Sequence, residues 1–118
     1  MPPFELGYPG TELRQRLVDA VLAGAKTTTS GLHGDEDLPS LGERYALVDA
    51  AGTPRAIVEV TEVRVVPAGE IDLPFVRDEG EAFESVEDWR MAHERFFEQP
   101  IAPDTLIDAI RFRIVERL

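Results

Sequence analysis

Apolar residues early in the chain recur at helical spacing. Leu13, Leu17 and Val21 stand four apart, with Val18 and Leu22 beside them. That pattern is one apolar stripe on a helix. Thr11 precedes the stripe as an N-cap, and Glu12 lies in the first turn, where the helix dipole favours an anion. Gly24 follows as a left-handed C-cap. At Lys26 the pattern changes. Three consecutive threonines disfavour helix and predict a strand over 26–30. Lys26, Thr28 and Ser30 then share one face, and Thr27 and Thr29 the other. The polar stretch 31–39 reads as a loop. It holds His33, Asp35, Glu36 and Asp37, which read as solvated side chains rather than a metal site.

Two further strands are predicted over 44–49 and 55–66, joined at Ala50-Ala51-Gly52-Thr53-Pro54. In the second, Ala56, Val58 and Val60 alternate with polar neighbours, and after Thr61-Glu62 the apolar phase flips to Val63 and Val65. A phase flip within a long strand predicts a bulge or sharp bend. The stretch 72–81 reads as a turn-rich connection. Ser85-Val86-Glu87-Asp88 resembles a capping box, and Val86, Trp89, His93, Phe96 and Phe97 lie on one helical face. His93 among those aromatics reads as a buried structural histidine. Ile110, Phe112 and Ile114 alternate with Arg111 and Arg113, predicting a last strand over 110–114. A small bent sheet that hides its edges tends to close into a barrel. The expected fold class is α+β, one domain over 1–118.

Size and composition fit that picture. At 118 residues and 13.1 kDa, area scaling gives about 6,400 Å² folded against roughly 19,000 Å² unfolded. There is no cysteine, which excludes disulfides and thiolate metal sites. The first residues show no signal-peptide pattern, and no apolar run is long enough for a membrane span. A cytoplasmic, non-membrane protein is expected, and the sequence leaves its oligomeric state open.

The net charge is −11, and residues 70–98 hold ten acids against three arginines, a local net of −7. Such a surface repels phosphate backbones, so only weak binding to generic single-stranded RNA is expected. Eleven of the twelve basic residues are arginine, which singles out Lys26. A neutral lysine beside hydroxyls can take a proton from a threonine whose oxygen then attacks an acyl carbon. A carboxylate elsewhere can hold the lysine or the leaving group. A lysine lining a cleft would contribute little packing.

Several motifs occur together in one order. They are Leu6-Gly7, Pro9-Gly10-Thr11-Glu12, Gly24-Ala25-Lys26-Thr27-Thr28-Thr29, and Leu38-Pro39 with Gly42. After them come Glu59-Val60-Thr61, Glu79-Gly80-Glu81, and Trp89-Arg90 with His93 and Phe96-Phe97. In this combination the chain resembles the ASCH domain family, over nearly its whole length. The resemblance implies a small PUA-like β-barrel with flanking helices and a cleft lined by the Gly-x-Lys segment.

One bacterial branch of that family hydrolyses N4-acetylcytidine, through a lysine, a threonine three residues later and a glutamate. The resemblance carries these roles to Lys26, Thr29 and Glu79, with Glu81 as the alternative glutamate. Thr27, Thr28, Ser30 and Glu81 are then candidate substrate contacts. Here Ser30-Gly31-Leu32 follows the threonine, where the amidohydrolase branch has a basic residue. Lys26 is either the base or, as the ammonium, the oxyanion donor. The implied function is amide hydrolysis of an acylated pyrimidine nucleoside or related metabolite, with no metal or organic cofactor and a small nucleoside-like ligand as partner. The other functions weighed are a non-catalytic RNA- or nucleotide-binding module and a ribonuclease.

Overall fold

In the computed structural model, which describes residues Met1–Leu118, the first helix begins where its cap predicts. The Thr11 side chain accepts from the Arg14 N–H at 3.1 Å, and α1 runs over Glu12–Leu22. Leu17, Val18 and Val21 of its stripe are buried. Arg14 is buried as well. Its guanidinium donates to the Leu6 carbonyl at 2.8 Å, the Gly7 carbonyl at 3.1 Å and the Glu5 carboxylate at 2.6 Å. These bonds fasten the N-terminal arm to α1.

The strands are β1 (Thr28–Leu32), β2 (Arg44–Val48), β3 (Pro54–Pro67) and β4 (Leu106–Arg117). They form one antiparallel sheet in the order β1-β4-β3-β2. The phase flip in β3 is a register shift between Val60 and Glu62. The extra residue lets Val58 and Val60 before it, and Val63 after it, pack into the same core, as a bulge does. The sheet curls into a half-barrel whose edge strands β1 and β2 do not pair with each other.

Both faces of the sheet are covered. On one, Leu17, Val18 and Val21 of α1 meet Val58, Val60, Ile110 and Phe112. On the other, Ile107 and Ala109 meet Phe75, Val76 and Trp89. Those three belong to α2 (Leu73–Arg77) and α3 (Val86–Phe97). Each buried Val, Leu, Ile or Phe side chain among them contributes about 1.5–3 kcal/mol. The Ser85 hydroxyl caps α3, accepting from the Asp88 N–H at 3.0 Å. No helix is long and apolar enough to cross a membrane.

Three predicted boundaries move. The strand predicted over 26–30 begins at Thr28 and continues through Gly31 and Leu32, which pair with Asp108 and Ile107. Lys26 lies ahead of the strand because its N–H still bonds to the Ala20 carbonyl at the end of α1, at 3.1 Å. The connection over 72–81 contains α2, capped by the Asp72 carboxylate accepting from the Phe75 N–H at 3.0 Å. Pro74 sits in the first turn of that helix, where no N–H is needed. The last strand runs well beyond 110–114 in both directions, because Ile107 and Ala109 face the second core.

The tightest backbone approach lies between the segment before β1 and the one after α2. Gly80 has φ +70°, and a Cβ there would stand 2.7 Å from the Ala25 carbonyl oxygen and 2.8 Å from the Lys26 nitrogen. Gly10 has a similar φ of +75° with nothing within 4 Å of such a Cβ. Gly10→Ala should therefore lose only the left-handed backbone term, about 1 kcal/mol. Gly80→Ala should lose about 2 kcal/mol more, because backbone must move to admit the methyl group. Urea melts of the two variants test this, and equal losses would refute the close approach.

Candidate functional site

The site grows from that approach. The Thr27 and Thr28 N–H groups both donate to the Asp78 carbonyl, at 2.7 and 3.1 Å. The Thr28 hydroxyl donates to the Phe75 carbonyl at 2.9 Å. These bonds hold the start of β1 against the end of α2 and set Lys26 between Glu79 and Glu81. The Lys26 Nζ donates to the Thr28 carbonyl at 2.8 Å and the Glu79 carbonyl at 3.3 Å. It also faces the Glu79 carboxylate at 3.8 Å and the Glu81 carboxylate at 4.0 Å. The side chains of Lys26 and Glu79 are each only 1 % exposed, whereas that of Glu81 is 27 % exposed.

A second set of contacts leads outward from Glu79. The Ser30 hydroxyl donates to Glu79 Oε2 at 3.0 Å and accepts from the Trp89 indole N–H at 3.1 Å. Its oxygen also lies 3.2 Å from His93 Nε2. The other ring nitrogen, His93 Nδ1, is 2.8 Å from the Trp89 carbonyl. A carbonyl only accepts, so Nδ1 carries a proton. His93 Nε2 is also 3.6 Å from Glu79 Oε1. Ser30, Glu79 and His93 line a cleft of about 960 Å³, bounded by the N-terminal arm, α1, β1 and α3.

The electrostatics separate the two glutamates. Burial alone would raise the Glu79 carboxyl, but the His93 bond, the Lys26 and His93 charges and the Ser30 hydroxyl outweigh it and hold it below its ordinary 4.5. For Glu81 burial prevails. Its carboxyl is pushed above 4.5, with the Lys26 charge opposing and the Glu79 charge adding. Burial would lower the His93 imidazole, yet the Glu79 bond and charge, the Trp89 carbonyl and the Glu81 charge carry it above its ordinary 6.5.

The structure brings Lys26, Thr29, Ser30, Glu79 and Glu81 to the cleft wall. Thr28 is fully buried, its hydroxyl spent on Phe75, and Thr27 lies off the cleft wall. The Thr29 hydroxyl bonds to neither Lys26 nor Glu79. Lys26 itself is among the largest fully buried side chains, so its packing contribution is substantial, contrary to the expectation for a cleft lysine. His93, read from the sequence as structural, lines the cleft with its side chain 12 % exposed. Its helical spacing from Trp89 looks the same in either role, and only its contacts to Ser30 and Glu79 separate them. His33 Nδ1 lies 2.8 Å from the Asp108 carboxylate. No group of three His, Asp or Glu side chains is placed to hold a metal ion.

Comparison with known proteins gives a matching family and structures of similar fold. The family model described as ASCH domain matches residues 5–116. Protein EF3133 of Enterococcus faecalis V583 is similar, with a TM-score of 0.85 at 26 % identity over 99 % of this chain and 77 % of that one. The ASCH domain of Lactobacillus crispatus JV V101 shares the fold, with a TM-score of 0.75 at 24 % identity over 86 % of this chain and 72 % of that one. The half-barrel with flanking helices is thus the PUA-like fold of ASCH structures. A search of curated proteins gives no match.

Two predictions follow from the charges. Glu79, lowered on folding, contributes stability above about pH 4.5 that is lost as pH falls through its folded value. His93, raised on folding, contributes stability below about pH 6.5 that is lost as pH rises through its folded value. Stability by urea melts should fall at both ends, and His93→Gln should weaken the decline on the alkaline side, leaving the part that the raised Glu81 carboxyl contributes. An unchanged decline in that variant would refute the coupling. Lys26→Met strands a buried carboxylate and should lose about 3–5 kcal/mol. Adding Glu79→Gln should recover at least half of that loss, and an additive double variant would show that the two charges do not interact.

Proposed function

The chain belongs to the ASCH domain family, and on that footing we propose that it is an amide hydrolase acting on an acylated pyrimidine nucleoside or a related metabolite. The observation that carries the proposal is the buried Lys26–Glu79 pair beside the β1 hydroxyls, at the wall of a cleft. Acyl transfer needs a hydroxyl, a group to take its proton and a donor for the oxyanion. Glu79, held ionised, suits the second role. Lys26, with two of its donors on carbonyls and facing two carboxylates, suits the fixed positive charge better than the base. The Thr29-Ser30 pair supplies the hydroxyl. The reaction so written uses no metal or organic cofactor.

The cleft suits a planar, weakly charged ligand. Its volume of about 960 Å³ lies within the range of small-molecule sites. The rings of Phe83 and Phe97 flank His93 at centroid distances of 6.0 and 5.6 Å. Tyr8 and Phe96, both exposed, stack on each other at 5.4 Å. Aromatic faces of this kind bind nucleobases by stacking. The net charge of −11 works against a ligand with an extended phosphate backbone.

Incubation with a panel of N4-acylated cytidines, read by chromatography for free cytidine, tests the proposal. Glu79→Gln should reduce turnover by about 10²-fold or more, the range for loss of a general base. Glu81→Gln should reduce it by less than about tenfold, since its carboxylate lies off the Ser30 contacts. If the folded wild-type protein released no cytidine from any member of the panel, the amide-hydrolase reading would be lost.

A further inference from the structure

Taking the amide bond from the reading above, we propose that the atom receiving the acyl group is Ser30 Oγ. The resemblance points instead to Thr29, and the sheet register separates the two. Thr29 pairs with Ile110, which packs into the core beneath α1. Ser30 pairs with Ala109, which packs into the core beneath α2 and α3. Directly paired residues on antiparallel strands share a face, so Ser30 is on the side of Glu79 and His93 and Thr29 is on the opposite side.

The contacts around Ser30 are those of a poised nucleophile. Its hydroxyl donates to Glu79 Oε2 at 3.0 Å, within reach for proton transfer. The Trp89 indole N–H donates to Ser30 Oγ at 3.1 Å and fixes one of its lone pairs. His93 Nε2, 3.2 Å away, is held by its own Nδ1–H on the Trp89 carbonyl. This is the arrangement of nucleophile, proton acceptor and orienting group that acyl transfer uses. Glu79 is 1 % exposed and stands at the cleft wall beside Ser30.

The strand edge supplies an oxyanion donor. Phe112 N–H donates to the Thr27 carbonyl and His33 N–H to the Leu106 carbonyl. In this antiparallel register the odd-numbered residues of β1 therefore exchange bonds with β4. The Ser30 N–H points the other way, off the free edge of the sheet, beside its own side chain.

The step balances. The Ser30 hydroxyl proton moves to Glu79 Oε2 as Oγ bonds to the acyl carbon, and the carbonyl electron pair moves to its oxygen at the Ser30 N–H. The oxyanion then collapses, the C–N bond breaks, and the Glu79 proton passes to the departing nitrogen. Water attacks the resulting ester and gives a proton to Glu79. The bond from carbon to Oγ breaks, Oγ regains a proton, and the carboxylic acid leaves.

An activated acyl donor tests the nucleophile without relying on the natural substrate. The folded protein is treated with p-nitrophenyl acetate, quenched in acid and mapped by peptide mass spectrometry. The acetyl group should sit on Ser30. Glu79→Gln should slow its arrival by about 10²-fold. Ser30→Ala removes a partner from three buried groups, so its folding is checked by circular dichroism. Ser30→Cys covers the case in which it fails to fold. It introduces a thiol into a chain that has none, and that sulfur should take the acetyl instead. Acetyl on Thr29, or labelling of Ser30 no faster than in the urea-unfolded chain, overturns the proposal. Acetylated Ser30 with intact N4-acetylcytidine would uphold Ser30 and defeat the amide reading. Released cytidine with Ser30 never acetylated would do the reverse.

Discussion

Lys26 and Glu79 are opposite charges that water scarcely reaches, and much of the surrounding structure keeps them together. An unpaired buried charge is penalised by several kcal/mol, so the chain needs both side chains and a backbone that brings them close. Gly80 provides that backbone. It sits so near Ala25 and Lys26 that no Cβ fits. The Asp78 carbonyl, taking the Thr27 and Thr28 N–H groups, closes the same junction one step earlier. The short helix α2, with Asp72 as its cap, ends so that residues 78–80 arrive at the start of β1.

The edge position of β1 explains how one short strand serves both fold and site. Its odd-numbered backbone groups bond to β4. On the free side, the Thr28 N–H meets Asp78 and the Thr28 carbonyl meets Lys26. An exposed strand edge invites pairing with other chains. Here the loop after α2 covers its beginning, and the cleft opens where that cover stops. The backbone groups that a closed barrel would spend on a neighbouring strand remain free at Ser30.

Most of the fold was legible because its signals are local. The Thr11 and Ser85 caps, the α1 stripe and the phase flip at Thr61 each report on a few adjacent residues, and the structure places them as expected. What the sequence hid depends on partners far along the chain. Leu32 extends β1 because Ile107 lies opposite, not because of its neighbours. Pro74 reads as a breaker until its place in a first helical turn is known. Of the site, the sequence singled out Lys26 as the chain's one lysine, and the family motifs pointed to Glu79. The contacts of Ser30 with Glu79, Trp89 and His93 were not readable. His93 spans 63 residues to Ser30, and no spacing rule reaches that far. Nor does composition tell that a lysine at a cleft wall is almost wholly buried.

Glu79 and Glu81 are two residues apart and share one ammonium, yet their acidities are driven in opposite directions. The cause is the number of partners. Glu79 is nearly sealed but has Lys26, His93 and Ser30 around its two oxygens. Glu81 has Lys26 at 4.0 Å and no hydrogen-bonding side chain of that kind. When desolvation acts on both, the well-partnered carboxyl is held below its ordinary value and the poorly partnered one is pushed above it. The left-handed Gly80 and Ala82, at φ +70° and +61°, turn the chain on both sides of Glu81. For alanine that conformation carries strain of about 1 kcal/mol. The strain falls where the chain must return Glu81 toward Lys26 immediately after Glu79 has been buried.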